Sequence, residues 1–229
     1  MAFNQIARAK NALDNRKITM SVPCPSAKGK YSALMWNIVN NNPRITVFTN
    51  DPADSTDGGK ISANMDIVTF YAFIELIKQM CAFDGETKVM IENKNFIFPG
   101  GKRSDQPVVV SELWVGKDKE GIVWISVTAK DRPRIKFPFG FADFHVFKKA
   151  DGTPYTKAEM SVIAAQGYIE ILQRFMAQLA VDNYVEPPKK QQTGGGGSNY
   201  SNNNNSGGNS GGGGGNKSFS DDSDDDIPF

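Results

Sequence analysis

Apolar and polar positions alternate along most of the chain, and two stretches exchange that period for a helical one. Residues 17–22, Lys-Ile-Thr-Met-Ser-Val, alternate cleanly and stop at Pro23 and Pro25, as a strand does where a ring removes a ladder donor. Further strands are predicted over 31–39 and 44–49, joined by the turn cluster Asn40-Asn41-Asn42-Pro43, and near 60–63 after an Asp/Ser/Gly loop. Over 65–81 the period changes. Ile67, Val68, Phe70, Phe73, Ile74, Leu76, Ile77 and Met80 cover most of a helix circumference, which predicts a buried helix. Asn64 is its expected N-cap, with Asp66 in the first turn and Lys78 in the last.

Strand signals resume at 88–98, with Val89 and Ile91 on one face and Lys88, Glu92 and Lys94 on the other. A basic glycine loop spans 99–107. Segments 108–115 and 122–130 then flank Gly116-Lys117-Asp118-Lys119-Glu120-Gly121 as a hairpin, and shorter strand-like pieces follow at 134–137 and 144–147. Thr156-Lys157-Ala158-Glu159 is a capping box that opens a helix to about 183, with the stripe Val162, Ala165, Ile169, Leu172, Phe175, Met176 and Leu179. Residues 1–15 form either a short helix or a loose arm. The predicted class is α+β: antiparallel sheets with two long helices, in a duplicated β-β-β-β-α order. That order resembles Whirly and PUR-type nucleic-acid-binding proteins. The alternative is the five-stranded OB-fold barrel, which has no need of two long apolar helices.

Composition divides the chain further. Residues 194–215 hold 11 glycines among Asn and Ser, a flexible-linker composition. The expected organisation is a body over 1–188, a linker over 189–218 and an acidic tip over 219–229. The formal net charge of +1 conceals an asymmetry, because residues 191–229 carry −4 and the remainder +5. A basic body with an acidic tail suits a polyanion binder whose tail competes for its own site.

The tip ends Asp224-Asp225-Asp226-Ile227-Pro228-Phe229. It has too little apolar area to fold alone, but it offers a hydrophobic anchor, a terminal carboxylate and steering charges to a partner. This ending after a Gly/Asn linker resembles the tail of bacterial-type single-stranded DNA-binding proteins. The resemblance implies recruitment of replication, repair or transcription proteins. Among phage proteins with this tail and divergent bodies, the single-stranded DNA-binding proteins of N4-related phages also act as cofactors of a phage RNA polymerase. That resemblance implies an RNA polymerase partner here.

The body's candidate chemistry is nucleic-acid binding. On the predicted hairpin, Val109, Leu113, Val115, Val123, Ile125 and Val127 share the core parity, which leaves Trp114 and Trp124 on a polar face. A turn symmetric about Lys119 pairs them directly. Two such rings make a platform on which bases stack regardless of sequence, unless a helix covers the face and both rings are core. Cations cluster near turns and strand ends: Lys28 and Lys30 around Gly29, Lys102 and Arg103 after Gly100-Gly101, and the run Lys130, Arg132, Arg134, Lys136. If that run is extended, its four cations share a side and could follow a phosphate backbone, or simply guard a solvated edge. Trp36, Arg44 and Lys94 complete the candidate contacts. Most of the phenylalanines at 137, 139, 141, 144 and 147 are expected in the core.

Other chemistries lack material. Gly100-Gly101-Lys102-Arg103-Ser104 is not a phosphate loop, since no Ser or Thr follows Lys102 directly and Phe96 stands where a further glycine is required. A single histidine, His145, leaves no metal site or His-based triad, so no catalytic residue, metal or cofactor is expected. Cys24 and Cys81 are expected as free thiols. No signal peptide or membrane span is evident, so the expected location is cytoplasmic, the host's cytoplasm if the chain is phage-encoded.

Overall fold

In the computed structural model, which describes residues 11–14, 18–142 and 144–186, the two periods of the sequence become two sheets and two helices. The first sheet is an antiparallel meander of β1 (Met20–Pro23), β2 (Tyr31–Val39), β3 (Asn42–Phe48) and β4 (Lys60–Asn64), in that spatial order, followed by α1 (Ile67–Ala82). The second repeats the scheme with β5 (Thr87–Asn95), β6 (Val108–Lys117), β7 (Val123–Thr128) and β8 (Phe137–Pro138), followed by α2 (Lys157–Asp182). The architecture is therefore α+β with the duplicated order, and the strands form two separate sheets in place of a five-stranded barrel.

Local chemistry sets the boundaries. Asn40 and Asn41 both adopt positive φ (49° and 65°), which closes β2 onto β3 as a two-residue hairpin with Val39 paired to Asn42. The Asn41 carboxamide also accepts from Val185 N and donates to Val185 O, both at 2.7 Å, and so ties down the chain beyond α2. Helix α1 is capped by Asp66, whose Oδ1 accepts from Thr69 N at 2.7 Å; this corrects the expected Asn64, which is the last residue of β4. The expected capping box of α2 is present: Thr156 Oγ1 accepts from Glu159 N, and Glu159 Oε2 accepts from Thr156 N. Glu159 also pairs with Lys149 at 2.8 Å, and that partner first, then the Thr156 contacts, hold its carboxyl down at about 2.

One core serves both sheets. Leu34, Trp36, Ile45, Val47, Leu113, Val115, Val123, Ile125, Val127 and Phe137 point into it from the strands. Phe70, Phe73, Ile74 and Ile77 of α1 and Ala165, Ile169, Leu172 and Met176 of α2 fill the other side. Helix α1 buries one face only, leaving Val68 74 % exposed, so its nearly continuous apolar run overstates its burial. The strand expected at 144–147 does not form. A turn with His145 N bonded to Ala142 O occupies that stretch, and Phe144 projects from it 91 % exposed. Cys24 and Cys81 are buried and free, and burial pushes the Cys81 thiol up. The linker and acidic-tip assignments, and the helix or arm expected at the N-terminus, lie largely outside the described residues.

Candidate nucleic-acid interface

The β6–β7 register decides what the two tryptophans can do. Trp114 pairs with Ser126 and Trp124 with Gly116, and Glu112 faces Thr128. The pairing is two residues away from the turn expected around Lys119. Asp118 is one reason: its Oδ1 accepts from the backbone N–H groups of Glu120 and Ile122 at 3.0 and 2.8 Å, and Gly121 supplies a φ of +79°. Gly116 is the other. A Cβ there would lie 2.6 Å from Trp124 Cζ2, so this indole rests where no other residue leaves room. A shift of two preserves parity. Both rings therefore stay on the outer face as diagonal neighbours, while α1 and α2 pack against the opposite face.

Around the rings lies a cleft of about 150 Å³ lined by Glu86, Thr87, Lys88, Trp114, Lys117, Trp124, Ser126, Thr128, Arg134 and Lys136. Four cations face one carboxylate. Trp114 is half-buried, and its Nε1–H donates to Glu112 Oε2 at 2.9 Å, an oxygen that also accepts from Thr128 Oγ1. That carboxylate fixes the plane of the indole. Trp124 lies deeper at 6 % exposure, and its Nε1–H has no acceptor among the described residues. Each ring carries an ammonium on its face: Lys136 Nζ is 4.5 Å from the Trp124 ring centre and Lys88 Nζ is 5.3 Å from that of Trp114. Lys117 has a separate task. Its Nζ donates to Phe83 O at 2.7 Å and approaches Cys81 O at 3.4 Å, satisfying carbonyls left open at the end of α1.

The run 130–136 is not one cationic row. Asp131, at a φ of 58°, turns the chain, and Arg132 N bonds back to Ala129 O. Arg132 is thereby directed inward to Asp54, with Nη2 donating to Oδ2 at 2.8 Å and Nε 2.6 Å from Oδ1, the two side chains 8 % and 3 % exposed. It is a structural ion pair, removed from the candidate contacts. Beyond the turn, Ile135 and Phe137 face the core, and Arg134 and Lys136 join the tryptophans. Arg134 also lines an adjoining hollow with Val109, Ser111, Glu112 and Lys130.

The remaining candidates separate. Trp36 is 1 % exposed, set edge-on against Phe70, and donates from Nε1 to Tyr168 Oη at 3.0 Å; its parity with Leu34 places it in the core, beyond the reach of a base. Arg44 sits half-buried on the first sheet, its Nε donating to Asn64 Oδ1. Lys28 and Lys30 are exposed on the β1–β2 loop, where Lys30 lines a shallow pocket with Tyr31, Asn50 and Asp51. Lys94, Lys102 and Arg103 belong to the β5–β6 hairpin and do not line the cleft. Of the five phenylalanines, Phe137 and Phe139 are buried, whereas Phe141, Phe144 and Phe147 are exposed, against the expectation of a mostly buried set. Residues 224–229 lie outside the described residues. Lys88 and Lys117 are the cleft cations that sequence reasoning missed. Lys88 was legible, being on the polar parity of β5, but its position across from Gly116 depends on the strand register. Among the described residues no group of three His, Cys, Asp or Glu could hold a metal ion, and no helix is long and apolar enough to cross a membrane. Compared with protein-family models, curated proteins and solved structures, the chain matches none.

Proposed function

We propose that this chain binds single-stranded DNA without regard to sequence, stabilising unwound strands on the outer face of the second sheet. The observation that carries this reading is the joint placement of Trp114, Trp124, Lys88, Arg134 and Lys136 around one open cleft. A base stacks on the half-exposed Trp114, and neighbouring phosphates meet Lys88, Arg134 and Lys136. Without a strand, the ammoniums cover the indoles, a contact worth ~0.5–1 kcal/mol at exposed sites. A stacked base is worth ~1–3 kcal/mol, and each displaced ammonium regains a partner in a phosphate, so the exchange favours the strand. In this reading the acidic tip recruits replication, repair or transcription proteins, a phage RNA polymerase among them, in the cytoplasm of the host.

The test is a titration of the full chain with a thymidine oligonucleotide, its RNA counterpart and a duplex of equal length. Binding is expected to favour single strands and to weaken by roughly 5- to 150-fold in Trp114→Ala, the equivalent of one stacked base. Preference for the RNA strand would make this an RNA-binding protein acting through the same face. Absence of binding to every strand would leave an adaptor that works through its tail, and the proposal would fail.

A further inference from the structure

The β5–β6 hairpin outlasts its sheet. Strand β6 has β7 beside it only from Glu112 to Lys117, whereas its pairing with β5 continues to Val108 opposite Asn95, across an irregularity at Asn93/Lys94. The hairpin therefore projects as a two-stranded arm. Its tip is a defined loop: Ser104 N donates to Ile97 O at 2.8 Å, Ile97 N to Ser104 Oγ at 3.2 Å, and Ser104 Oγ to Gln106 O at 2.9 Å. Between these closures lies Phe98-Pro99-Gly100-Gly101-Lys102-Arg103, turned by Gly101 N to Phe98 O at 3.2 Å. Gly100 and Gly101 take φ of +63° and +83° with open space around them, so they serve the turn and not a close approach.

This loop presents Phe98 64 % exposed to solvent. Lys102 is exposed beside it, Arg103 lies 3.7 Å over the ring of Phe96, and Lys94 forms a surface pair with Glu92 at 2.8 Å. The same end of the hairpin also exposes Ile97, Val108, Val109 and Val110, an apolar flank that a second copy could cover. The aromatic ring itself stands among cations on a loop held by its own hydrogen bonds, which is the chemistry of a base-stacking site. The arm is also continuous with the cleft. Met90, across from Trp114, and Phe98 are eight residues apart on the chain, at most about 26 Å at strand spacing. Arg134 and the hollow it shares with Val109 and Lys130 lie beside the strand that leads from the cleft to the arm.

We propose that the 98–103 tip is a second base-stacking site on the path of the same strand. Phe98 is the platform, and Lys102 contacts the adjacent phosphate. The strand runs along the outer side of β6, from Trp124 and Trp114 past Arg134 to the arm. This rests on the reading of the cleft as a single-strand site and extends it from one contact area to two.

Oligonucleotide length separates the two areas. The full chain and its Phe98→Ala and Trp114→Ala variants are titrated with thymidine oligonucleotides of about 4 and about 16 nucleotides, the span of known site sizes for single-strand binding modules. Phe98→Ala is expected to weaken the longer oligonucleotide by roughly 5- to 150-fold and to leave the shorter one within twofold. Its melting temperature and mass in solution stay at the wild-type values, because the ring is not packed. Trp114→Ala is expected to weaken both lengths. A Phe98→Ala variant within twofold of wild type on the longer strand overturns the proposal. So does an equal loss at both lengths, or a change in oligomeric state, which would assign the ring to a second copy. If Trp114→Ala alters neither length while Phe98→Ala still acts on the longer, the cleft reading fails and the arm site stands. No binding by the wild-type chain overturns both.

Discussion

The ion pair between Asp54 and Arg132 joins the β3–β4 connection to the turn that leads into Arg134 and Lys136. Its perturbation is therefore expected to register in both stability and binding. Asp54 accepts from Arg132 and, through Oδ2, from Thr49 Oγ1 at 2.8 Å; Arg132 Nη2 also reaches Lys60 O at 3.2 Å. Asp54→Asn keeps the shape and removes the charge, leaving a guanidinium 8 % exposed without its counter-ion. Breaking one partner of such a pair costs about 3–5 kcal/mol, whereas replacing both by apolar residues is often nearly neutral. Urea denaturation at pH 7, followed by tryptophan fluorescence, is expected to show that loss for Asp54→Asn and a smaller one for Asp54→Leu/Arg132→Met. The hydrogen bond from Arg132, with that from Thr49, holds the Asp54 carboxyl below its ordinary value. A depressed carboxylate contributes stability that is complete above its unfolded pKa of about 3.9 and is lost as pH falls towards the folded value. The wild type should thus lose this increment below about pH 4, and Asp54→Asn should show a flatter acid limb. A single variant within about 1 kcal/mol of wild type, or one as costly as the double variant, would refute the assignment of a buried structural pair.

Gly116→Ala is expected to displace the Trp124 indole, because the new Cβ would lie 2.6 Å from Cζ2 and 2.9 Å from Thr87 O. The expected cost is about 1–3 kcal/mol by denaturant melting, together with weaker strand binding; unaltered values for both would contradict the close approach. Arg134→Gln with Lys136→Gln is expected to flatten the slope of log K against log salt by about 0.7 per lost phosphate contact, equally for all sequences. Deleting 191–229 removes a charge of −4 and is expected to tighten single-strand binding, most clearly at low salt. Phe229→Ala removes no charge. It should leave that affinity unchanged while abolishing partner capture, and a truncated chain that binds DNA more weakly would count against a competing tail.

The fold was legible because periodicity survives without knowledge of partners. Alternation marked β2, β3, β5, β6 and β7 within a few residues, and the capping box at Thr156 located the start of α2. What failed depended on register or on long-range pairing. Trp114 and Trp124 were rightly assigned to one face, since parity is local, but the two-residue offset follows from Asp118 and from the gap over Gly116. The run Lys130 to Lys136 makes a row only if it is extended, and nothing in the run itself shows that Arg132 has a carboxylate 78 positions away in Asp54. Trp36 and Trp114 carry the same side chain on similar strands, and parity separates them: Trp36 shares the core face with Leu34, whereas Trp114 is on the face away from Leu113 and Val115. Phe98 was placed at the end of the strand expected over 88–98, but β5 stops at Asn95, and the bonds between Ile97 and Ser104 that close the loop around Phe98 leave no period in the sequence.

Under the proposed function, the single strand lies on the outer face of the second sheet. The most direct measurement is ultraviolet cross-linking of the full chain to a halogenated thymidine oligonucleotide, with the linked residues mapped by mass spectrometry. Links are expected at Trp114 and on the segments that hold Lys88, Arg134 and Lys136, all lost when unlabelled strand is added in excess. Links confined to the first sheet, at Tyr31 or beside Arg44, with none on β6, would contradict it.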